Sequence, residues 1–280
     1  MAARITPRTT AVIGVHLWGR PCDVDGLAEL ADRHALKLLF DAAHAFGCTC
    51  KGRMVGSFGD AEVFSFHATK VLNAFEGGVV TTNDDELARR LRLMRNFGFA
   101  GYDNVVELGT NAKMSEVSAA MGLTSLDSFD EFVAVNYRNY KLYEERLRDV
   151  PGVRLARYDE SERCNYQYVV LEVDERAAHI GQKDLLRVLW AENAIARKYF
   201  APGCHNMPVY RELYPEAGKS LPVTNRLADR LLILPTGTTT SEQAVQGICS
   251  VLRLAAANGA RLTQLLRPGQ AGTLPQTAAA

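Results

Sequence analysis

Short apolar runs alternate with amphipathic stretches through residues 11–95, and this alternation constrains the fold more than any other feature. AVIGVH (11–16), LKLLF (36–40), AEVFSF (61–66) and GVVTT (78–82) read as strands. Between and after them, DVDGLAELADRH (23–34) and DDELARRLRLMRNF carry helical spacing, with Asp23 and Asn83 or Asp84 as N-caps. Apolar strands separated by amphipathic helices predict a mostly parallel sheet covered by helices. Leu87, Leu91 and Met94 form a helical stripe expected to face the core, and Arg89, Arg90, Arg92 and Arg95 a solvated face.

The second half changes character. Ser115 to about Asp149 is helical almost throughout, with a break near LDSFD, and Pro151-Gly152 stops it. A strand at 166–173, a helix at 183–193, a short strand near Ile195, the strand LLILP and a helix at 241–257 follow. The expected division is a large domain over 1–130 and a smaller α+β domain over 131–257. The small-residue, Pro- and Gly-rich tail at 258–280 is expected to be disordered.

The 32 basic and 32 acidic residues cancel, so no basic field exists for nucleic acid or an anionic membrane. A small anionic ligand, held by local donors, stays open. Arg4 and Arg8 before an apolar run mimic a signal peptide, but the run is short and His16 breaks it. No stretch approaches the ~20 apolar residues of a membrane span. The six scattered cysteines lack a second pair at zinc spacing and read as reduced thiols in a reducing compartment. A metal site on His44, Cys48 and Cys50 is disfavoured for the same reason.

Ligands of parallel α/β sheets bind beyond the carboxyl ends of the strands. Asp41 follows LKLLF directly, and Lys70 follows AEVFSF by a short loop. If the two strands are neighbours, both side chains reach one crevice. A buried Asp and Lys at one strand-end edge suit pyridoxal phosphate chemistry. The amine forms a Schiff base with the cofactor aldehyde, and the carboxylate pairs with the ring nitrogen.

DAAHAFG (41–47), FSFHATK (64–70), EGG (76–78) and GTNAKMSEVSAAMG (109–122), with VHLWGRPCD (15–23) and YFAPGCH (199–205), resemble the DegT/DnrJ/EryC1/StrS family. These are fold-type-I pyridoxal-phosphate aminotransferases acting on nucleotide-linked keto-sugars. The resemblance runs from about residue 4 to 255. It implies a three-layer α/β/α large domain with a smaller C-terminal α+β domain. The HATK and FEGG wording is most similar to enzymes that aminate C4 of a dTDP-4-keto-6-deoxyhexose, with glutamate as donor. A 3-keto-sugar aminotransferase is the alternative within the family. The dehydratase branch replaces the lysine by His, which Lys70 opposes.

The resemblance assigns roles. Lys70 would be the Schiff-base lysine and the acid–base, and Asp41 would pair with the pyridine nitrogen. His44 stands where the family often has Gln and would contact the cofactor's phenolic oxygen. Ser65 would bind its phosphate. Asn111 would reach the phosphate of a neighbouring subunit, with Lys113 close by, which implies a homodimer. Tyr199, His205 and His67 would meet the sugar nucleotide. A cytoplasmic enzyme is expected. Roughly the first hundred residues of the family pattern precede the matching part, including a Ser-Gly-Thr phosphate segment and a ring-stacking side chain, and a sheet lacking them exposes apolar edges. An upstream start is the expectation. A shortened, non-catalytic relative acting as a dimerisation partner, or a separate polypeptide supplying that part, are the alternatives.

Overall fold

The structure is a computed structural model that describes residues 1–266. The chain divides into two units, Met1–Ala134 with Tyr158–Gln167, and Val135–Arg157 with the chain from Tyr168 onward. The return of 158–167 to the first unit is not legible in the sequence. It follows from side chains with long-range partners. Glu162 accepts from the Thr49 hydroxyl at 2.5 Å and from the Gly52 amide at 3.2 Å. Asn165 donates to the His44 and Phe46 carbonyls at 2.9 and 3.1 Å.

In the first unit, β1 (Ala11–Val15), β2 (Lys37–Asp41), β5 (Ala61–Ser65) and β6 (Gly78–Thr81) form a sheet in the order β1-β2-β5-β6. The first three strands are parallel and β6 is antiparallel to β5. A hairpin of β3 (Thr49–Cys50) and β4 (Arg53–Met54), unexpected from sequence, stands beside them. Helix α1 (Val24–Arg33) begins at Asp23, whose carboxylate accepts from the Gly26 amide at 3.2 Å. It lays Val24, Leu27 and Ala31 on Val12, Leu38, Phe40 and Phe58. Full burial contributes about 1.5–3 kcal/mol for each of the valine, leucine and phenylalanine side chains and less for Ala31. Beyond the strand ends, Phe46 packs edge-on against Phe64, Phe66 and Phe129 at 5.3–5.7 Å between centroids.

The opposite sheet face is open among the described residues. Register places Ile13 beside Leu39, and Val15, Asp41, Val63 and Val80 in one row. Ile13 is 64% exposed, and Val15, Val63 and Val80 are exposed as well.

Helix α2 (Asp85–Arg95) is capped by Asp84, as expected, but buries none of its residues. The Leu87–Leu91–Met94 stripe is therefore not core. Leu91 and Met94 line an open groove of about 550 Å³ against β6, with Arg92 and Arg95 beside them. Arg89 and Arg90 pair with Glu86 and Glu107 at the surface. Helix α3 (Glu116–Asp127) is capped by Ser115, and Ser128 separates it from α4 (Phe129–Leu147), inside which the unit boundary falls.

The second unit has an antiparallel sheet in the order β7 (Val153–Leu155), β8 (Val169–Val173), β9 (Leu231–Leu234). Helices α5 (Glu175–Ala178), α6 (Gln182–Ala191), α7 (Pro208–Leu213), α8 (Pro222–Ala228), α9 (Glu242–Ala257) and α10 (Gly259–Leu265) complete it. Its core holds Tyr143, Leu147, Leu171, Leu189, Leu232, Val245 and Leu252. The expected strand near Ile195 is only a bridge between Arg197 and Ile233. The strand expected at 166–173 starts at Val169, because Asn165 and Tyr166 are engaged elsewhere.

The expected disordered tail starts too early. Residues Gly259–Leu265 are helical, since Leu262 packs on the core and Thr263 donates to the His179 carbonyl at 3.2 Å. Residues 267–280 lie outside the described residues. No described helix is long and apolar enough to cross a membrane.

Candidate active site

Strands β2 and β5 are parallel neighbours, with Asp41 in register with Val63. Asp41 and the loop leading to Lys70 therefore leave the same carboxyl edge of the sheet. Asp41 is exposed rather than buried as expected, because it lies in the row of the open face. One of its oxygens accepts from the Ala43 amide at 2.9 Å, which turns the chain sharply toward His44.

Lys70 is half-buried. Its loop is pinned on both sides. The Lys70 amide donates to the His67 carbonyl at 2.9 Å, and Val71 and Leu72 sink into a cluster with Phe129. The Ala74 amide donates to the Phe66 carbonyl at 2.8 Å, and the Gln167 side chain reaches the Thr69 carbonyl. Burial lowers the pKa of the Lys70 amine, and the Asp41 charge opposes that shift without cancelling it. The result is an amine held in place, near a carboxylate, with more of its free-base form at neutral pH than an ordinary lysine has.

His44 is buried, and its Nδ1 accepts from the Trp18 amide at 3.2 Å. Burial, with a further push from the Lys70 charge, lowers its pKa to about 4 against the opposing pull of Asp41. The Lys70 and Asp41 charges thus both act on the His44 imidazole, in opposite directions. Ser65 ends β5, and its hydroxyl oxygen accepts from the His67 amide at 3.3 Å. His67 is exposed, with Nδ1 2.8 Å from the Thr69 hydroxyl and Nε2 3.6 Å from Glu76. It fastens the lysine loop.

The remaining sequence candidates are held by other segments of the chain. Asn111 bridges Asn96 on the loop after α2, and the Lys113 ammonium sits 4.3 Å above the Phe97 ring. Tyr199 and His205 belong to the second unit. Tyr199 stacks on Phe200 at 5.1 Å and packs against Tyr168, and His205 Nε2 is 2.6 Å from Asn225 Oδ1. Sequence reading missed Trp18 and Asn165, which bond to His44, and Tyr158, which bonds to Trp18. The VHLWG wording marked the first of these. Nothing local marks the other two, which arrive through the fold. Among the described residues no cluster of three or more His, Cys, Asp or Glu could hold a metal ion.

Adjacent parallel strands thus bring an aspartate, an imidazole and a partly desolvated lysine to their carboxyl ends, the edge at which α/β sheets bind ligands. Comparison with known proteins narrows the class. The sequence matches the DegT/DnrJ/EryC1/StrS aminotransferase family over residues 1–253, and the chain belongs to that family. It is 34% identical over 251 residues to dTDP-4-amino-4,6-dideoxy-D-glucose transaminase of Shigella dysenteriae, covering 89% of this chain and 67% of that protein. It is 38% identical over 240 residues to dTDP-3-amino-3,4,6-trideoxy-alpha-D-glucose transaminase of Micromonospora megalomicea, covering 83% and 62%. Among solved structures, DesI in the presence of its TDP-sugar product superposes with a TM-score of 0.89 at 52% identity, covering 95% of this chain and 67% of DesI. The chain thus spans about two thirds of the length of these proteins. It is a sugar aminotransferase of the family by sequence and by fold.

Proposed function

We propose that the chain carries pyridoxal-phosphate-dependent amination of a dTDP-linked 4-keto-6-deoxyhexose, with glutamate as amino donor, in a cytoplasmic homodimer. The observation that carries the reading is the Asp41–Lys70 pair at adjacent parallel strand ends, with the amine pKa lowered by burial. The donor set fits the cofactor. It offers a nucleophilic amine, an exposed carboxylate for a protonated ring nitrogen, an imidazole and a serine hydroxyl. When bound, pyridoxal phosphate supplies an aldehyde and an electron-withdrawing ring that stabilises a substrate carbanion.

The chain's own residues supply the rest. Lys70 would hold the cofactor through its amine and, as a free amine, would serve as the acid–base for the proton at the reacting carbon. Asp41 keeps the ring nitrogen protonated. His44 and Ser65 orient the ring and phosphate. Asn111 and Lys113 serve the site of a second copy, and Tyr199, His205 and His67 receive the sugar nucleotide. The 4-keto assignment is supported by the likeness to the 4-amino transaminase and to DesI. Amination at C3 is the second reading, supported by the 38% identity to the 3-amino transaminase.

The test is a visible absorption spectrum of the chain after incubation with pyridoxal phosphate and desalting, before and after glutamate. A retained band that glutamate converts, absent in Lys70→Ala, is the expected result. Turnover of dTDP-4-keto against 3-keto sugars then separates the two substrates. Full transaminase activity in Lys70→Ala would end the proposal.

A further inference from the structure

His44 is met by a backbone amide from an unusual stretch of chain. Trp18 adopts φ 58° and ψ 31°, a left-handed conformation that a bulky residue seldom enters. In that conformation its N–H reaches His44 Nδ1 at 3.2 Å. The stretch is held on several sides. The Trp18 carbonyl accepts from the Tyr158 hydroxyl at 3.0 Å. Gly19 continues in the left-handed region at φ 74°, where a Cβ would come within 2.9 Å of Asn165 Oδ1. The Asn165 amide group in turn donates to the carbonyl of His44 itself at 2.9 Å. Trp18, Gly19, Tyr158 and Asn165 therefore fix both the imidazole and the amide that faces it.

A backbone amide donates and cannot accept. In a neutral ring the Nδ1 atom facing it carries the lone pair, because a proton there would confront the amide hydrogen. A neutral imidazole has one N–H, which is then on Nε2, the ring nitrogen away from the Trp18 turn. We infer that the Trp18 amide locks His44 as the neutral Nε2–H tautomer, so that the site holds an uncharged hydrogen-bond donor beside Lys70 and Asp41. Trp18, Tyr158 and Asn165 are positioning residues for that donor.

The lock has a consequence for charge. Lys70 and Asp41 are the charged groups that act on His44. A cationic His44 would add a second positive charge near the Lys70 amine, and a neutral one does not. The donor stays available wherever an ordinary imidazole would be switching charge, between about pH 5 and 8. What the donor meets rests on the function proposed above. The tautomer does not, since it is fixed by protein atoms alone.

The experiment uses the full chain labelled with ¹⁵N-histidine, without cofactor. Long-range ¹H–¹⁵N correlation spectra separate protonated from lone-pair ring nitrogens, and the signal missing in His44→Gln identifies His44. The expected pattern is a lone-pair Nδ1 and a protonated Nε2, unchanged between about pH 5 and 8. An Nδ1–H pattern, an equal mixture or a titrating signal in that range would overturn the inference. Trp18→Gly keeps the amide and tolerates the left-handed conformation, so the pattern should persist. Tyr158→Phe frees the Trp18 carbonyl, and the His44 signals should shift toward a tautomer mixture while the other histidine signals report a folded chain. An unshifted spectrum in Tyr158→Phe would remove Tyr158 from the device. A correct tautomer in a chain that never retains pyridoxal phosphate would sink the proposed function and leave the lock standing, and the converse result would do the opposite.

Discussion

Glu62→Gln tests how the strands beneath the site are tied together. His16 follows β1 and Glu62 lies on β5, and both side chains are fully buried. Their nearest atoms, Nε2 and Oε2, are 3.4 Å apart across Phe40, on which the imidazole stacks at 4.8 Å. The other Glu62 oxygen accepts from the Phe58 amide at 2.6 Å. Gln keeps that acceptor and the shape and removes the charge. Burial by itself would lower the His16 pKa, but contacts with Cys22 and Glu62 outweigh it and carry the value from 6.5 to about 9.

At ~1.4 kcal/mol per pH unit this links roughly 3 kcal/mol of stability to the cation. The Cys22 amide, 3.2 Å from Nδ1, works against a proton there. The figure is therefore a ceiling, and about 1–3 kcal/mol is expected. The sign follows from the raised pKa. The contribution is complete below about pH 6.5 and is lost as pH rises through about 9. The assay is urea unfolding in a Trp190→Phe background, where Trp18 fluorescence reports the first unit. Glu62→Gln should be less stable by that amount at low pH, and the gap to the parent should close by pH 9 and above. A gap that does not change with pH would refute the linked pair.

Other outcomes follow from the same geometry. Asp41 raises the Lys70 pKa against burial, so Asp41→Asn should move the onset of Lys70 acylation to lower pH, read by mass mapping after timed modification. Gly47 sits at φ 73° with a Cβ position 2.4 Å from the Phe129 ring, so Gly47→Ala should cost roughly 2–4 kcal/mol in the first unit's urea transition. Asn139 is buried and donates to the Gly237 and Thr240 carbonyls at 3.4 and 3.3 Å, so Asn139→Ala should cost roughly 1–3 kcal/mol in a transition followed by Trp190 fluorescence.

The strands of the first unit were legible because each is a short apolar run bounded by polar turns, and their parallel pairing followed from the helices between them. That Asp41 and the loop carrying Lys70 leave the same sheet edge was legible, because one follows its apolar run directly and the other begins where the next run ends. Three things were not. The α2 stripe has the spacing of a core face, yet spacing says only that residues share a side, not that anything covers it. The segment 158–167 carries no local signal for crossing between units, since its reasons are single bonds from Glu162 and Asn165 to distant carbonyls, amides and a hydroxyl. The state of His44 depends on a left-handed tryptophan, a conformation that the residue type argues against and that only tertiary bonds impose.

The open sheet face allows the most direct check on how this chain exists in solution. AVIGV is apolar at every position, the pattern of a strand covered on both sides, whereas its burial alternates along the strand. Ile13 projects from the exposed side at 64% exposure. If that side meets water, Ile13→Lys gives up little burial, and the change in strand propensity costs no more than about 1 kcal/mol. If a second copy or another polypeptide covers it, the same lysine must be desolvated or displace the cover, at a cost of several kcal/mol. Urea midpoints of parent and variant, each at two protein concentrations, separate the cases. A small, concentration-independent difference is expected. A loss of more than about 3 kcal/mol, or one that grows with concentration, would show that this face is an interface and that the row of Val15, Asp41 and Val63 is buried when the protein works.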